Sequence, residues 1–377
     1  MFNLVKGAVA SAIGTQEPVY GPEAIHSVAE QAKKTPHTVL TKPDQKWLTP
    51  WTSCVETQTF YIHSDAGHLV FVQVIYSNVA ITATAQFNTQ IYFLDDDKTP
   101  RIWSSDPLSN YKFENEKYDL IADKVSITLN EDGSAYTIKS QLNLKSIVEL
   151  TFTRTAPGFV VGDNGTTTYG TDPKNPWGTM RHSFWPRCTV TGHILTQHGS
   201  LDMKGAGMYV HALQGMKPHH AAARWNFCNF QSPNYSAVLM QFTTPPAYAS
   251  TVVNVGGIVK DDKLLFASAD STAEHTKIKG DAEVNWPEPG EVKYTWKGVT
   301  DDGKEASAEI EGPLNDRLDR VDVMGELPGF IKSLATAAAG TRPYIYQYGA
   351  KMKLKLKIGE EEIEEEGQVF AEATFIS

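Results

Sequence analysis

Lys351-Met352-Lys353-Leu354-Lys355-Leu356-Lys357-Ile358 puts a lysine at every odd position and an apolar residue at every even one. Side chains of an extended chain alternate between the two faces of a sheet, so this stretch reads as a strand with one wet and one buried face. The nine residues that follow, Gly359 to Gly367, include six glutamates, and Gln368 to Ile376 then returns as a second strand. Opposite charges on paired strands are stabilising, which makes the acidic run a solvated turn facing those lysines and not a metal site.

The same alternation runs back through the chain. Phe60 to Ile62 leads through Asp65-Ala66-Gly67 into Leu69 to Tyr76, and Lys124 to Leu129 leads through Glu131-Asp132-Gly133 into Ala135 to Ile138. Asp-Gly supplies the positive φ values that tight hairpins require. Further turns are expected at Asp163-Asn164-Gly165, Asp261-Asp262 and Asp301-Asp302-Gly303. One internal helix is expected at Pro328 to Ala339, where Phe330, Ile331, Leu334, Ala335 and Ala338 share a stripe and Gly340 stops it. The fold class is therefore all-β, built from antiparallel meanders. A chain of 377 residues exceeds what one core usually organises, and the polar, Pro-containing stretch Gly215 to Ala223 divides it in two. Closing each half into a barrel removes exposed edges, and a barrel of about eight strands can enclose one small apolar ligand.

Charge and composition exclude several classes. Forty-four acidic residues against 34 basic ones give a net charge of −10, with the basic residues scattered, so nucleic acid is not an expected partner. Cys54, Cys188 and Cys228 are odd in number and far apart, which predicts buried, reduced thiols. No stretch approaches the roughly 20 apolar residues of a membrane-spanning helix. At the amino terminus, Phe2, Leu4, Val5, Val9, Ala12 and Ile13 are the candidate membrane contacts of an amphipathic helix whose other face carries Asn3, Lys6, Gly7, Ser11 and Gly14. Its only lysine lies inside the apolar stretch, unlike a secretory signal, and docking on the protein's own surface stands beside the membrane reading. After it, Pro18, Pro22, Pro36, Pro43 and Pro50 mark a tether or an embracing arm.

The usual catalytic signatures are missing: no Gly-rich phosphate loop, nucleophile elbow, HExxH or paired CxxC is present. What concentrates His, Arg and Trp is Arg181 to Cys188, RHSFWPRC, and His211 to Phe227, HALQGMKPHHAAARWNF. His211, His219, His220 and Arg224 can supply acid, base or oxyanion groups. They can equally be satisfied hydrogen-bonding groups at a junction between two barrels, with Trp185 and Trp225 packed between them. Adjacent His219 and His220 point to opposite sides of an extended chain and do not form a metal clip. The candidate ligand contacts are Trp185, Tyr209, His211, His220, Arg224 and Trp225; no catalytic residue, metal or cofactor is assigned.

Together with the Met1-Phe2 terminus and WTSCVETQTFYI at Trp51 to Ile62, these two segments resemble the fungal survival-factor family over the whole chain, Met1 to Ser377. The resemblance implies two tandem lipocalin-like barrels; combined with the residue pattern above, this gives a membrane-binding helix at 1–17, a Pro-containing arm at 18–50, and lipocalin-like domains at 51–216 and 217–377. It also implies non-enzymatic, non-vesicular transfer of ceramide from the endoplasmic reticulum to the Golgi, survival under oxidative and cold stress, and acetylation of Met1. The location it implies is the cytoplasm and nucleus, with peripheral contact with both membranes. A more distant similarity to carotenoid hydratases of lipocalin-like fold keeps open a hydratase or isomerase acting on an apolar lipid. A stress-linked scaffold with solid cores is a third reading. A carrier must enclose its cargo, because exposing a long acyl chain costs on the order of 10 kcal/mol at ~0.8 kcal/mol per methylene. It needs apolar room inside a barrel and a way in, at a barrel mouth or at the junction near Trp185, Tyr209 and Trp225.

Overall fold

A computed structural model describes residues 20–79, 83–96, 98–315, 317–326 and 342–377. Met1, the amphipathic terminus with Phe2, Leu4, Val5, Val9, Ala12 and Ile13, and the helix expected at Pro328 to Ala339 lie outside the described residues.

Among the described residues there are two sheets, and the first has 16 strands, most of them on one continuous path. In chain order the path strands are β1 (Cys54–Ser64), β2 (His68–Asn78), β3 (Thr84–Phe93), β4 (Ile102–Pro107), β5 (Lys112–Glu114), β6 (Asp119–Ala122), β7 (Val125–Leu129), β8 (Ala135–Asn143), β9 (Ser146–Arg154), β10 (Gly178–Thr196) and β11 (Gly205–Gln214). Their spatial order is β4-β3-β2-β1-β11-β10-β9-β8-β7-β6-β5. The second sheet has ten strands: β12 (Arg224–Gln231), β13 (Tyr235–Thr243), β14 (Val252–Lys260), β15 (Lys263–Ser268), β16 (Ser271–Ile278), β17 (Pro289–Val299), β18 (Glu305–Pro313), β19 (Arg317–Asp322), β20 (Tyr344–Ile358) and β21 (Glu361–Phe375). Their order is β15-β14-β13-β12-β21-β20-β18-β17-β16, with β19 added on β20. All these pairings are antiparallel, so two lipocalin-like units follow one another along the chain.

The terminal hairpin corrects one expectation. Glu361 to Glu366 is strand, not turn, and only Gly359 and Glu360 make the reversal, with Gly359 at φ +57°. Lys353, Lys355 and Lys357 stand opposite Glu366, Glu364 and Glu362, so the charges that suggested a solvated turn hold the ladder together instead. Met352, Leu354 and Leu356 are buried on the other face. A second correction concerns Asp163-Asn164-Gly165. The turn forms, but the strands around it do not pair with each other: Phe159–Val161 pairs with His37–Val39, and Thr166–Tyr169 pairs with Ile25–His26. The arm supplies both partners and is thereby stitched onto the first sheet.

The two curled antiparallel sheets form the expected lipocalin-like barrels as half-barrels, open between the ends of each path. The ends of each path, β4 and β5 in one and β15 and β16 in the other, are not hydrogen-bonded together among the described residues. Side chains tie β4 to the β8–β9 hairpin across the first unit: Ser104 lies 3.1 Å from Ser146, and Asn143 donates to Asp106 at 2.9 Å. Each sheet still curls around a core, and a third core lies between them. Strand β10 serves two of these. Arg181, Ser183 and Trp185 share its inward face, the register shifts between Trp185 and Cys188 at Pro186-Arg187, and Cys188, Val190 and Ile194 then continue inward. Proline removes a ladder donor, and the bulge it permits re-aims the strand.

Candidate functional site

The first interior is apolar for most of its length. Phe60, Tyr136, Phe152, Trp185 and Tyr209 are fully buried there, with the Phe60 ring 4.8 Å from Tyr209 and Tyr136 5.2 Å from Trp185. Toward one end it becomes polar. Glu56 and Gln58 on β1 share the inward face with Phe60 and are 0% exposed; His211 on β11 is 1% exposed. His211 Nε2 lies 2.7 Å from Glu56 Oε1, and the carboxyl accepts the backbone N–H groups of Leu48 and Thr49 at 2.7 Å each. Thr49 takes φ +42° to present that N–H, a conformation disfavoured for a β-branched residue. Arg181 reaches Asp44 at 3.5 Å, and burial lowers its guanidinium below the usual range, opposed by the nearby Asp44 carboxylate.

The arm closes this end. Gln45 and Trp47 are 0% and 1% exposed, and the Trp47 ring lies 5.7 Å from His211. Among the described residues, four side chains in and over this interior carry buried polar atoms with no hydrogen-bond partner: the Gln45 amide, the Trp47 and Trp185 indole N–H groups, and His211 Nδ1; the buried Gln58 amide has the Tyr136 hydroxyl beside it. Each such group costs about 1–3 kcal/mol. The second interior differs. Asp281 bonds Arg320 at 2.8 Å and Tyr346 at 2.9 Å, Glu288 bonds Arg317 at 3.0 Å, and Trp296 donates to the Val238 carbonyl at 2.8 Å. Burial alone would raise the Asp281 carboxyl, but the Arg320 and Tyr346 hydrogen bonds prevail and hold it at about 2.

The six residues assigned from sequence do not form one site. Trp185, Tyr209 and His211 come together inside the first unit, with Tyr209 and Trp185 rings 5.1 Å apart. Trp185 and Tyr209 are therefore not at the junction, where they were expected. His220 lies in the connection between the sheets against Trp177, at 5.5 Å. Trp225 faces the junction against Phe242 at 5.1 Å and His182 at 5.5 Å. Arg224 is exposed, with its guanidinium over the Phe375 ring. The cause is strand parity: β11 ends and β12 begins on different sheets, so one segment of sequence serves different surfaces. Sequence reasoning missed Gln45, Trp47, Glu56, Gln58 and Arg181. For Glu56 and Gln58 the signal was present in Cys54-x-Glu56-x-Gln58-x-Phe60-x-Ile62, which carries two polar residues on a face otherwise committed to the core.

Between the units, Tyr61 stacks near Phe227 at 5.2 Å and Phe370 at 5.4 Å. A polar chain crosses beside them: Gln90 to Asp319 at 3.1 Å, Tyr92 to Gln347 at 2.7 Å, and Gln347 to Glu372 at 2.6 Å. A cleft of about 950 Å³ opens along this seam, lined in part by His63, Leu69, Leu94, Leu318 and Lys351. Burial drives the His63 imidazole down to about 3, so it is neutral there.

Chemically, the first interior offers donors and acceptors set in an aromatic wall, suited to an uncharged polar group carried on an apolar body. The buried Glu56–His211 pair can also hold or move a proton. Comparison with known proteins bears on this. A ceramide-binding protein of Neurospora crassa is 59% identical over 381 residues, covering all of both chains, and one of Aspergillus fumigatus is 56% identical over 396 residues, again covering all of both. Among solved structures, kievitone hydratase from Nectria haematococca matches with a TM-score of 0.56 at 12% identity, covering 95% of this chain and 98% of its own; this likeness concerns the fold alone. A family profile matches residues 2–377, and with relatives of this closeness along the entire length, the chain belongs to the Svf1 family.

Proposed function

We propose that this protein binds ceramide and transfers it, without vesicles, from the endoplasmic reticulum to the Golgi, and that it does so as a carrier and not as an enzyme. The observation that carries the reading is the enclosed polar cluster of the first unit, whose buried amides and N–H groups suit the amide and hydroxyls of a ceramide head. The names of the relatives point to the same ligand. Peripheral membrane contact through Phe2, Leu4, Val5, Val9, Ala12 and Ile13 would place the cytoplasmic protein, also present in the nucleus, at its donor and acceptor membranes. Acetylation of Met1 would remove a charge from that end and favour the contact. Better survival under oxidative and cold stress would follow from keeping free ceramide low.

The test uses fluorescent ceramide in phosphatidylcholine donor vesicles and a quenched acceptor population. Catalytic amounts of protein should speed transfer, and Val5→Glu with Val9→Glu should slow it while leaving extraction of ceramide into solution intact. Absence of extraction by the intact protein would remove the carrier reading. The Glu56–His211 pair favours a second reading, hydration or isomerisation of an apolar lipid with His211 handling the proton. Mass spectrometry of the recovered lipid separates the two: a gain of one water, or a new isomer, identifies an enzyme.

A further inference from the structure

We propose that the polar end of the first interior is the headgroup site, that it selects an uncharged head, and that Gln45 and Trp47 occupy it in the free protein as a plug the lipid displaces. This rests on the ceramide reading above and adds the place, the selectivity and the way in.

The plug is held at its margins and unsatisfied at its centre. Around it, Lys46 pairs with Glu116 at 2.6 Å, Lys117 donates to the Thr49 hydroxyl at 2.6 Å, and Lys42 donates to the Glu131 carbonyl at 2.6 Å. These exposed contacts contribute little; the stronger holds are the Trp47 backbone N–H on the Lys117 carbonyl at 2.9 Å and the Leu48 and Thr49 N–H groups on Glu56, which the lipid must displace. At its centre, the Gln45 amide and Trp47 indole N–H are buried without a partner among the described residues and face an interior holding the equally partnerless Trp185 N–H and His211 Nδ1, with the buried Gln58 amide beside them. A segment evolved only as core would satisfy such groups. One that stands in for a ligand need only fill the space, and an amide and an N–H on an aromatic body imitate an amphiphile with an amide head.

The surrounding chemistry sets the selectivity. Glu56 already accepts from two backbone N–H groups and faces His211, and Arg181 is engaged by Asp44. A phosphorylated head would meet the Glu56 carboxyl, with Arg181 held by Asp44 and the Arg154 guanidinium over the Trp185 ring at 5.3 Å, and an ammonium head would lose its water for one carboxyl that His211 already faces. An uncharged head with both donors and acceptors fits. The second interior lacks this character, because its carboxyls are committed to Arg317, Arg320, Tyr346 and Tyr348.

The experiment uses the full chain with phosphatidylcholine vesicles containing ceramide, ceramide phosphate or sphingosine. Hydrogen exchange should show faster deuterium uptake across 42–49 on adding ceramide, with protection of 54–64 and 205–214, and neither change with the two charged lipids. Slower uptake at 42–49 would refute the plug. A ceramide bearing a photoreactive group near its head should label β1, β10 or β11 in the unmodified protein. Labelling confined to the seam, at Leu69, Leu94 or Leu318, would overturn the site while leaving ceramide binding intact; no labelling and no extraction would instead bring down the underlying reading. Trp47→Ala should speed ceramide uptake several-fold, and Gln58→Leu should weaken binding about tenfold, the loss of one buried hydrogen bond. Equal charged-lipid binding would refute the selectivity.

Discussion

Glu372 lies on the seam with Gln347 as its hydrogen-bond partner at 2.6 Å, and burial pushes its carboxyl up to about 7 against that bond. A carboxyl raised in the folded state favours folding below its ordinary value of 4.5, and the advantage disappears as pH rises from there through about 7. The change is up to roughly 3 kcal/mol. Glu372→Gln should therefore leave urea stability unchanged near pH 4.5 and raise it above pH 7.5; parallel pH profiles for variant and parent would contradict this. At this scale the sequence was only partly legible. His211, Tyr209 and Trp185 stand out as aromatic and imidazole groups in one dense segment, but Glu56 and Gln58 look like ordinary polar residues of an alternating strand until the inward face is known. Glu372 is hidden for the same reason, since nothing local tells which face of β21 meets the other unit.

The β20–β21 hairpin is the element where local pattern and final structure agree best. Leu356 is 2% exposed inside the second unit, whereas Lys355 is exposed opposite Glu364. Leu356→Ala should cost about 2–5 kcal/mol in urea unfolding, and Lys355→Ala should stay within about 0.5 kcal/mol. Equal effects would mean the strand is not seated as described. Alternation and Asp-Gly turns are local signals, so strands and hairpins could be read directly. The open edges of the sheets could not, because how each sheet curls depends on contacts such as Ser104–Ser146 between residues far apart in sequence. Nor could the arm: Ile25–His26 and His37–Val39 are too short to announce themselves and become strands only because Thr166–Tyr169 and Phe159–Val161 offer free edges.

Over the whole molecule the two units are separate in backbone pairing but share a core. Tyr61, Phe71, Tyr92, Met208 and Val210 of the first unit are buried together with Phe227, Val238, Phe242 and Phe370 of the second. Gly257 marks how close the approach is, since a Cβ there would lie 2.7 Å from the Phe159 ring. Residues 51–216 expressed alone should consequently self-associate and bind a hydrophobic dye; a monodisperse fragment with a cooperative melt would contradict this. The shared core has a consequence for synthesis on the ribosome. When the codons for β11 have been read, that broad greasy surface has no cover, and translation of residues 217–377 at ~5–20 residues per second takes on the order of ten to thirty seconds. For that interval the nascent polypeptide is half a protein with a sticky side, a natural client for chaperones and a point where slowed elongation would cost yield.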